Sequence, residues 1–137
     1  MSERGRVEHL NPKELPNVPA FTQAVAVTGP VKTVYVGGQD AVTASGEIVG
    51  KGDIAAQTEQ VLRNVSAALA AAGAGLEHVI KWDIHVVDGQ PLEPGFEVFQ
   101  RVWGDRGEPP VITGVFVAGL AHPDFLVEID AVAVVPT

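Results

Sequence analysis

The chain has 137 residues, 46% of them hydrophobic and 19% charged, with a formal net charge of −8. That length suffices for one domain with its own hydrophobic core and requires no metal staple, and the acidic balance repels phosphate backbones, so nucleic acid is not expected as a partner. The absence of cysteine excludes a disulfide framework, a thiolate nucleophile and a cysteine metal site; together with the lack of a secretory-type apolar stretch or an apolar run of about 18 residues, it points to a cytoplasmic chain with no membrane partner.

Residues 1–19, rich in charge and carrying Pro12, Pro16 and Pro19, read as an extended N-terminal arm, and residues 20–137 as a single domain. Ala24 to Val27 and Val31 to Gly37 are β-type runs on either side of Thr28-Gly29-Pro30 and predict a hairpin. A turn at Ser45-Gly46 precedes a short strand at Glu47 to Val49. From Asp53 the period changes to three and four: Ile54, Thr58, Val61, Leu62, Val65, Ala68, Leu69 and Ala72 mark one face of a helix, with Asp53 as N-cap and Gly73 as stop. Val79 to Val87 alternates, placing Ile80, Trp82, Ile84 and Val86 on one face and Lys81, Asp83 and His85 on the other. Phe96, Phe99 and Trp103 predict a second helix over Pro94 to Trp103, ended by Gly104. Strands at Val111 to Ala118 and Phe125 to Val135 complete an α+β domain with both helices on one face of a sheet. The positive mean hydropathy leaves apolar surface for partner subunits, so the expected state is a homo-oligomer.

Most of the ionisable residues form no motif. His9, His78, His85 and His122 show no helical pair or H-E-x-x-H spacing, so no metal is expected. Asp83 and His85 share a strand face, which is most simply a solvated surface. Gly46, Gly50 and Gly52 match no phosphate-loop pattern, and no serine sits in a G-x-S-x-G elbow. Glu128 differs from these, because it interrupts a very apolar strand and shares a face with Leu126, Asp130 and Val132. Desolvation and a neighbouring carboxylate there suit it to proton transfer, whereas both acids on the open face of a sheet would simply meet solvent.

Phe21-Thr-Gln-Ala-Val25, Val34-Tyr-Val-Gly-Gly-Gln39, the long stretch Gly52-Asp-Ile-Ala-Ala-Gln-Thr-Glu-Gln-Val-Leu-Arg-Asn-Val65, Ala71-Ala-Gly73, Val79-Ile-Lys-Trp-Asp-Ile84 and Val127-Glu-Ile-Asp-Ala-Val-Ala133 follow one another in order. In this the chain resembles the reactive intermediate deaminases, the RidA/YjgF family also labelled endoribonuclease L-PSP, over roughly residues 20–135. The resemblance implies a chorismate-mutase-like (bacillus-type) mixed sheet with two helices on one face, a barrel-cored homotrimer with ligand clefts between subunits, and hydrolysis of imino and enamine acids to ammonia and oxo acids without metal or organic cofactor.

Carried over residue by residue, the resemblance is incomplete. The family's substrate-carboxylate arginine is matched by Ile112, its cysteine by Gly114, its tyrosine by Phe21 and the asparagine of its second helix by Phe96. Gly38, in the segment whose main chain borders the ligand in the family, and Glu128, which matches the family's water-positioning or water-activating glutamate, persist. Loss of a desolvated charge partner costs about 2–5 kcal/mol. The expectation is therefore a divergent deaminase or hydrolase acting through Glu128 on a small, less acidic imine, enamine or related metabolite in an apolar cleft lined by Phe21, Gly38, Phe96, Ile112 and Gly114. The alternative is a non-catalytic homotrimer that binds a metabolite or a protein. Arg101 or Arg106 could stand in for the missing guanidinium only by reaching in from a loop or a neighbouring subunit. The family has also carried ribonuclease and translation-inhibitor labels, and the acidic balance speaks against them.

Overall fold

The structure is a computed structural model that describes residues 4–137. The elements are β1 (Arg6–Leu10), β2 (Ala24–Thr28), β3 (Val31–Gln39), α1 (Ile54–Ala71), a 3-10 turn at Leu76–His78, β4 (Val79–Val87), α2 (Leu92–Trp103), β5 (Val111–Val117) and β6 (Val127–Pro136). A four-stranded mixed sheet has the order β3-β6-β4-β5, with β4 and β5 parallel and the other pairs antiparallel. Both helices pack on one face of it, which is the α+β arrangement expected.

Within the segment read as an arm, Arg6–Leu10 forms a strand antiparallel to β2; Met1 to Glu3 lie outside the described residues. This pairing corrects the predicted hairpin. The chain does reverse at Gly29, whose φ of +83° suits only glycine, but β2 pairs with β1 and β3 pairs with β6. The two runs on either side of the turn therefore enter different sheets. At Glu47 to Val49 the structure has a single bridge, Val42 to Ile48, in place of the short strand.

Helix α1 starts where the sequence predicts, with the Asp53 carboxylate accepting from the Ala56 N–H at 3.2 Å. Its buried stripe includes Gln57, which a hydropathy pattern passes over. Gln57 is fully buried because its amide is fully used: Nε2 donates to the carbonyls of Asp124 (2.8 Å) and Gly50 (3.3 Å), and Oε1 accepts from the Leu126 N–H at 2.8 Å. This clamp holds the entry to β6. Gln57→Leu leaves those three backbone groups without their partner and is expected to cost about 2–4 kcal/mol. In thermal unfolding that is a fall in Tm of roughly 6–15 °C, and an unchanged Tm would contradict the clamp.

Helix α2 begins at Leu92, two residues before the predicted start. Pro94 lies in the first turn, where its missing N–H has no intrahelical partner to lose. In β4 a register shift between Val79 and Lys81 corrects the predicted faces: Val79 is in the core and Ile80 is only half-buried. Trp82 is 1% exposed and meets Phe99 of α2 edge-to-face, with ring centroids 5.1 Å apart. The core thus lies between the helices and the sheet face made by Val34, Val36, Trp82, Val86, Val127, Ile129, Ala131 and Ala133.

Candidate functional site

The six residues singled out from the sequence fall into two groups. Phe21, Phe96, Ile112 and Gly114 line one cleft of about 560 Å³ on the helix side of the sheet, between α2 and the β4–β5 edge. Apart from Thr58 and Glu93, its walls are apolar, and Ile84, Val86 and Ile129 form its floor. Parallel pairing sets Ile112 beside Trp82 and Gly114 beside Ile84, so the position that resembles the family's arginine faces hydrocarbon. Phe21 reaches the cleft because Thr22 is buried next to it: its hydroxyl donates to the Pro109 carbonyl at 2.5 Å, and its N–H to the Pro110 carbonyl at 3.1 Å. Phe96 and Phe116 remain 46% and 54% exposed, which places them at the rim and not in the core.

Gly38 and Glu128 meet on the opposite, helix-free face. Glu128 lies between Val127 and Ile129, both of which line the apolar cleft, so strand alternation turns its carboxylate away from that cleft. Its cross-strand neighbour is His85. A register shift between Val36 and Gln39 brings Gly38 against it: a Cβ on Gly38 would stand 2.7 Å from Glu128 Oε2. Gly38→Ala should therefore leave Tm nearly unchanged, since the tip of a side chain can move aside. Displacement of that carboxylate by about 1 Å should lower any Glu128-dependent turnover by roughly 10²-fold.

The sequence suggests Asp130 as the carboxyl neighbour of Glu128, and the Glu128 charge does raise Asp130, but the carboxyl that hydrogen-bonds to Glu128 is Asp40. Side chains two apart along a strand are about 7 Å from each other, whereas directly opposed ones are closer. Asp130 accordingly pairs with Asp83 on β4, its cross-strand partner, and burial followed by that neighbour raises the Asp130 pKa. Burial, a hydrogen bond with Glu128 and its charge push Asp40 up to about 7. Asp83 also bridges Lys81 at 3.7 Å and does not hydrogen-bond to His85, whose Nδ1 is buried without a partner among the described residues. Leu126 precedes β6 and is buried in the core, so it does not share the Glu128 face.

Neither arginine considered as a substitute lines the cleft. Arg101 binds Glu59 on α1 at 3.4 Å, and Arg106 donates to the Val102 and Trp103 carbonyls at the end of α2. Among the described residues no group of three His, Cys, Asp or Glu side chains is arranged to hold a metal ion, and no helix is long and apolar enough to cross a membrane.

Comparison with known proteins agrees with this fold. The sequence profile of the endoribonuclease L-PSP family matches residues 12–135, and the chain belongs to that family, the RidA/YjgF proteins. It is 36% identical over 118 residues to a RutC family protein of Synechocystis, covering 85% of this chain and 87% of that one. It is 30% identical over 115 residues to the 2-iminobutanoate/2-iminopropanoate deaminase of Rattus norvegicus, covering 84% and 80%. Among solved structures, a Rid family protein from Yersinia pestis superposes with a TM-score of 0.82 at 33% identity, over 94% of this chain and 98% of that one. The YjgF gene product of Escherichia coli gives 0.68 at 27% identity, over 87% of each.

Gln57, Thr22 and Asp40 were not picked out by sequence reasoning. The first two are polar residues that reach backbone groups 67 to 87 positions away, a relation that leaves no periodic trace. Asp40 had one legible sign, its i,i+2 spacing from Gly38, which puts the two on one face of an extended chain.

Proposed function

We propose that this protein is a divergent RidA-type deaminase, a C–N hydrolase that acts on a small imine or enamine carrying an apolar group and no carboxylate. The observation that carries this reading is the cleft beside Ile112, which is apolar where a carboxylate would need a guanidinium. The cleft and Glu128 occupy opposite faces of one sheet, so a single copy cannot apply both to one substrate. In the proposed cytoplasmic homotrimer, the apolar cleft of one copy meets the Gly38–Glu128 face of the next, and the ligand lies between them.

In the reaction so assembled, the Glu128 carboxylate takes a proton from water as the water oxygen bonds to the C=N carbon, and gives that proton to the nitrogen. The hydroxyl proton of the adduct then passes to nitrogen by the same route, the C–N bond breaks, and ammonia and a carbonyl compound leave. Water is consumed and Glu128 returns to its starting state. The apolar walls hold the substituent and exclude bulk water, and among the described residues no lysine or arginine lines the cleft to hold a carboxylate.

The test is ammonia release from imines generated in situ: one without a carboxylate, made from 2-phenylethylamine by an amine oxidase, and 2-iminopropanoate, made from alanine by an amino-acid oxidase. Acceleration of the first above the spontaneous rate, and little of the second, is the expected result; the reverse order would overturn the proposed selectivity. A second reading is supported by the same apolar walls, namely a trimer that binds an apolar metabolite without turnover. It gives ligand-dependent stabilisation with no ammonia released and no effect of Glu128→Gln.

A further inference from the structure

We infer that Asp40 is a positioning residue for Glu128: the two carboxyls hold one proton between them, and Asp40 donates it to Glu128, fixing the direction and single negative charge of the base. The inference rests on the hydrolytic reading above, which requires Glu128 to be ionised and aimed.

Three structural features carry it. Asp40 follows β3 in a loop with little freedom: Asn64 of α1 donates through Nδ2 to the carbonyls of Asp40 and Val42, both at 2.9 Å, and the next residue, Ala41, is completely buried. The pairing of Gln39 with Ile129 sets the next residue, Asp40, next to Glu128 of β6, and the Glu128 carboxylate packs against Gly38. Finally, Asp40 Oδ1 is shut off from solvent, and among the described residues no N–H or O–H donates to it. A carboxylate oxygen in that setting carries the full cost of desolvation. Two adjacent ionised carboxylates would add repulsion, and a single shared proton removes both penalties.

The direction of titration agrees. Asp40 is raised from 3.8 to about 7, with burial first and Glu128 second among the causes. As pH rises through about 7 that proton is lost, which leaves Asp40 charged beside Glu128. The other ionisable groups on this sheet face are Asp130 of β6, Lys81, Asp83 and His85 of β4, and Tyr35 of β3. Of these, Asp130 is itself raised, through burial and Asp83, and must be told apart from Asp40.

Infrared difference spectroscopy of the full chain across pH 5 to 9 tests the pairing without any substrate. The expected result is a protonated-carboxyl C=O band that disappears with a midpoint near 7, is missing in Asp40→Asn and persists in Asp130→Asn. No such band in the native chain, or a band lost in Asp130→Asn and kept in Asp40→Asn, overturns the inference whether or not the chain turns over an imine. With the 2-phenylethylamine-derived imine, native kcat should fall as pH rises through 7. Asp40→Asn keeps an N–H donor for Glu128 with no proton to lose, so its alkaline limb should vanish at near-native kcat. Asp40→Ala should lower kcat by about tenfold or more, the range of a mis-aimed base, with KM little changed. A native-like alkaline limb in both variants would equally overturn it, whereas absence of turnover in the native chain with the band present would count against the hydrolytic reading alone.

Discussion

Glu128→Gln is expected to lower kcat for imine hydrolysis by about 10²–10⁴-fold, the usual contribution of a positioned acid–base group. Glutamine keeps the size of the side chain and can still hydrogen-bond to Asp40, but it cannot take a proton from water. In the proposed trimer the substituent is held by the apolar walls of the neighbouring copy and not by the carboxylate, so KM should change little; the loss belongs to the transition state and not to ground-state binding. The fold should tolerate the change, because Glu128 is only partly buried and accepts no hydrogen bond from the backbone across the strand pair other than through its main chain. Steady-state ammonia release, read beside a melting curve, checks both statements. Turnover equal to the native rate would remove Glu128 from the chemistry and favour the binding reading.

Ile112→Arg is expected to act in the opposite direction on carboxylate-bearing substrates, raising kcat/KM for 2-iminopropanoate by about ten- to a hundredfold. A well-paired guanidinium is worth about 2–5 kcal/mol to such a ligand, and part of that is lost here because the surrounding walls were not shaped to hold the fork. The same substitution should weaken use of an apolar imine, since it puts a charge where the substituent rests. Ile112 is half-buried beside the exposed rim formed by Phe96 and Phe116, so the long arginine can direct its head to water in the free protein. Stability should fall moderately, and the variant should remain folded. Equal loss on both substrates, with an unchanged melting curve, would show that position 112 does not face the ligand.

The outline of this fold was legible because the pattern that names each element is local. Asp53 and the three-to-four spacing that follows it define α1, and Phe96, Phe99 and Trp103 define α2. What could not be read was partnership. The runs around Gly29 look like a hairpin, and nothing local shows that β3 is claimed by β6, a hundred residues on, and β2 by β1. The site divides in the same way: residue types at matched positions gave Glu128 and Ile112, but the sheet face on which each lies depends on register. The shifts at Val36 to Gln39 and at Val79 to Lys81 are not written in any alternation of polar and apolar residues. Asp40 was passed over for a related reason. A lone aspartate after a strand reads as a turn residue, and only the approach of β6 makes it a partner for a carboxylate.

β6 is the last strand in chain order and lies in the interior of the sheet, between β3 and β4. During synthesis, therefore, β3 and the β4–β5 pair must wait as separate pieces, each with an unpaired edge, until the chain has been made through residue 136. Contacts of such sequence separation are slow to form, and open edges in the meantime invite pairing with other chains. The interval between completion of β5 and arrival of β6 is thus when this protein is most exposed to aggregation, and when a chaperone holding the nascent chain would help most.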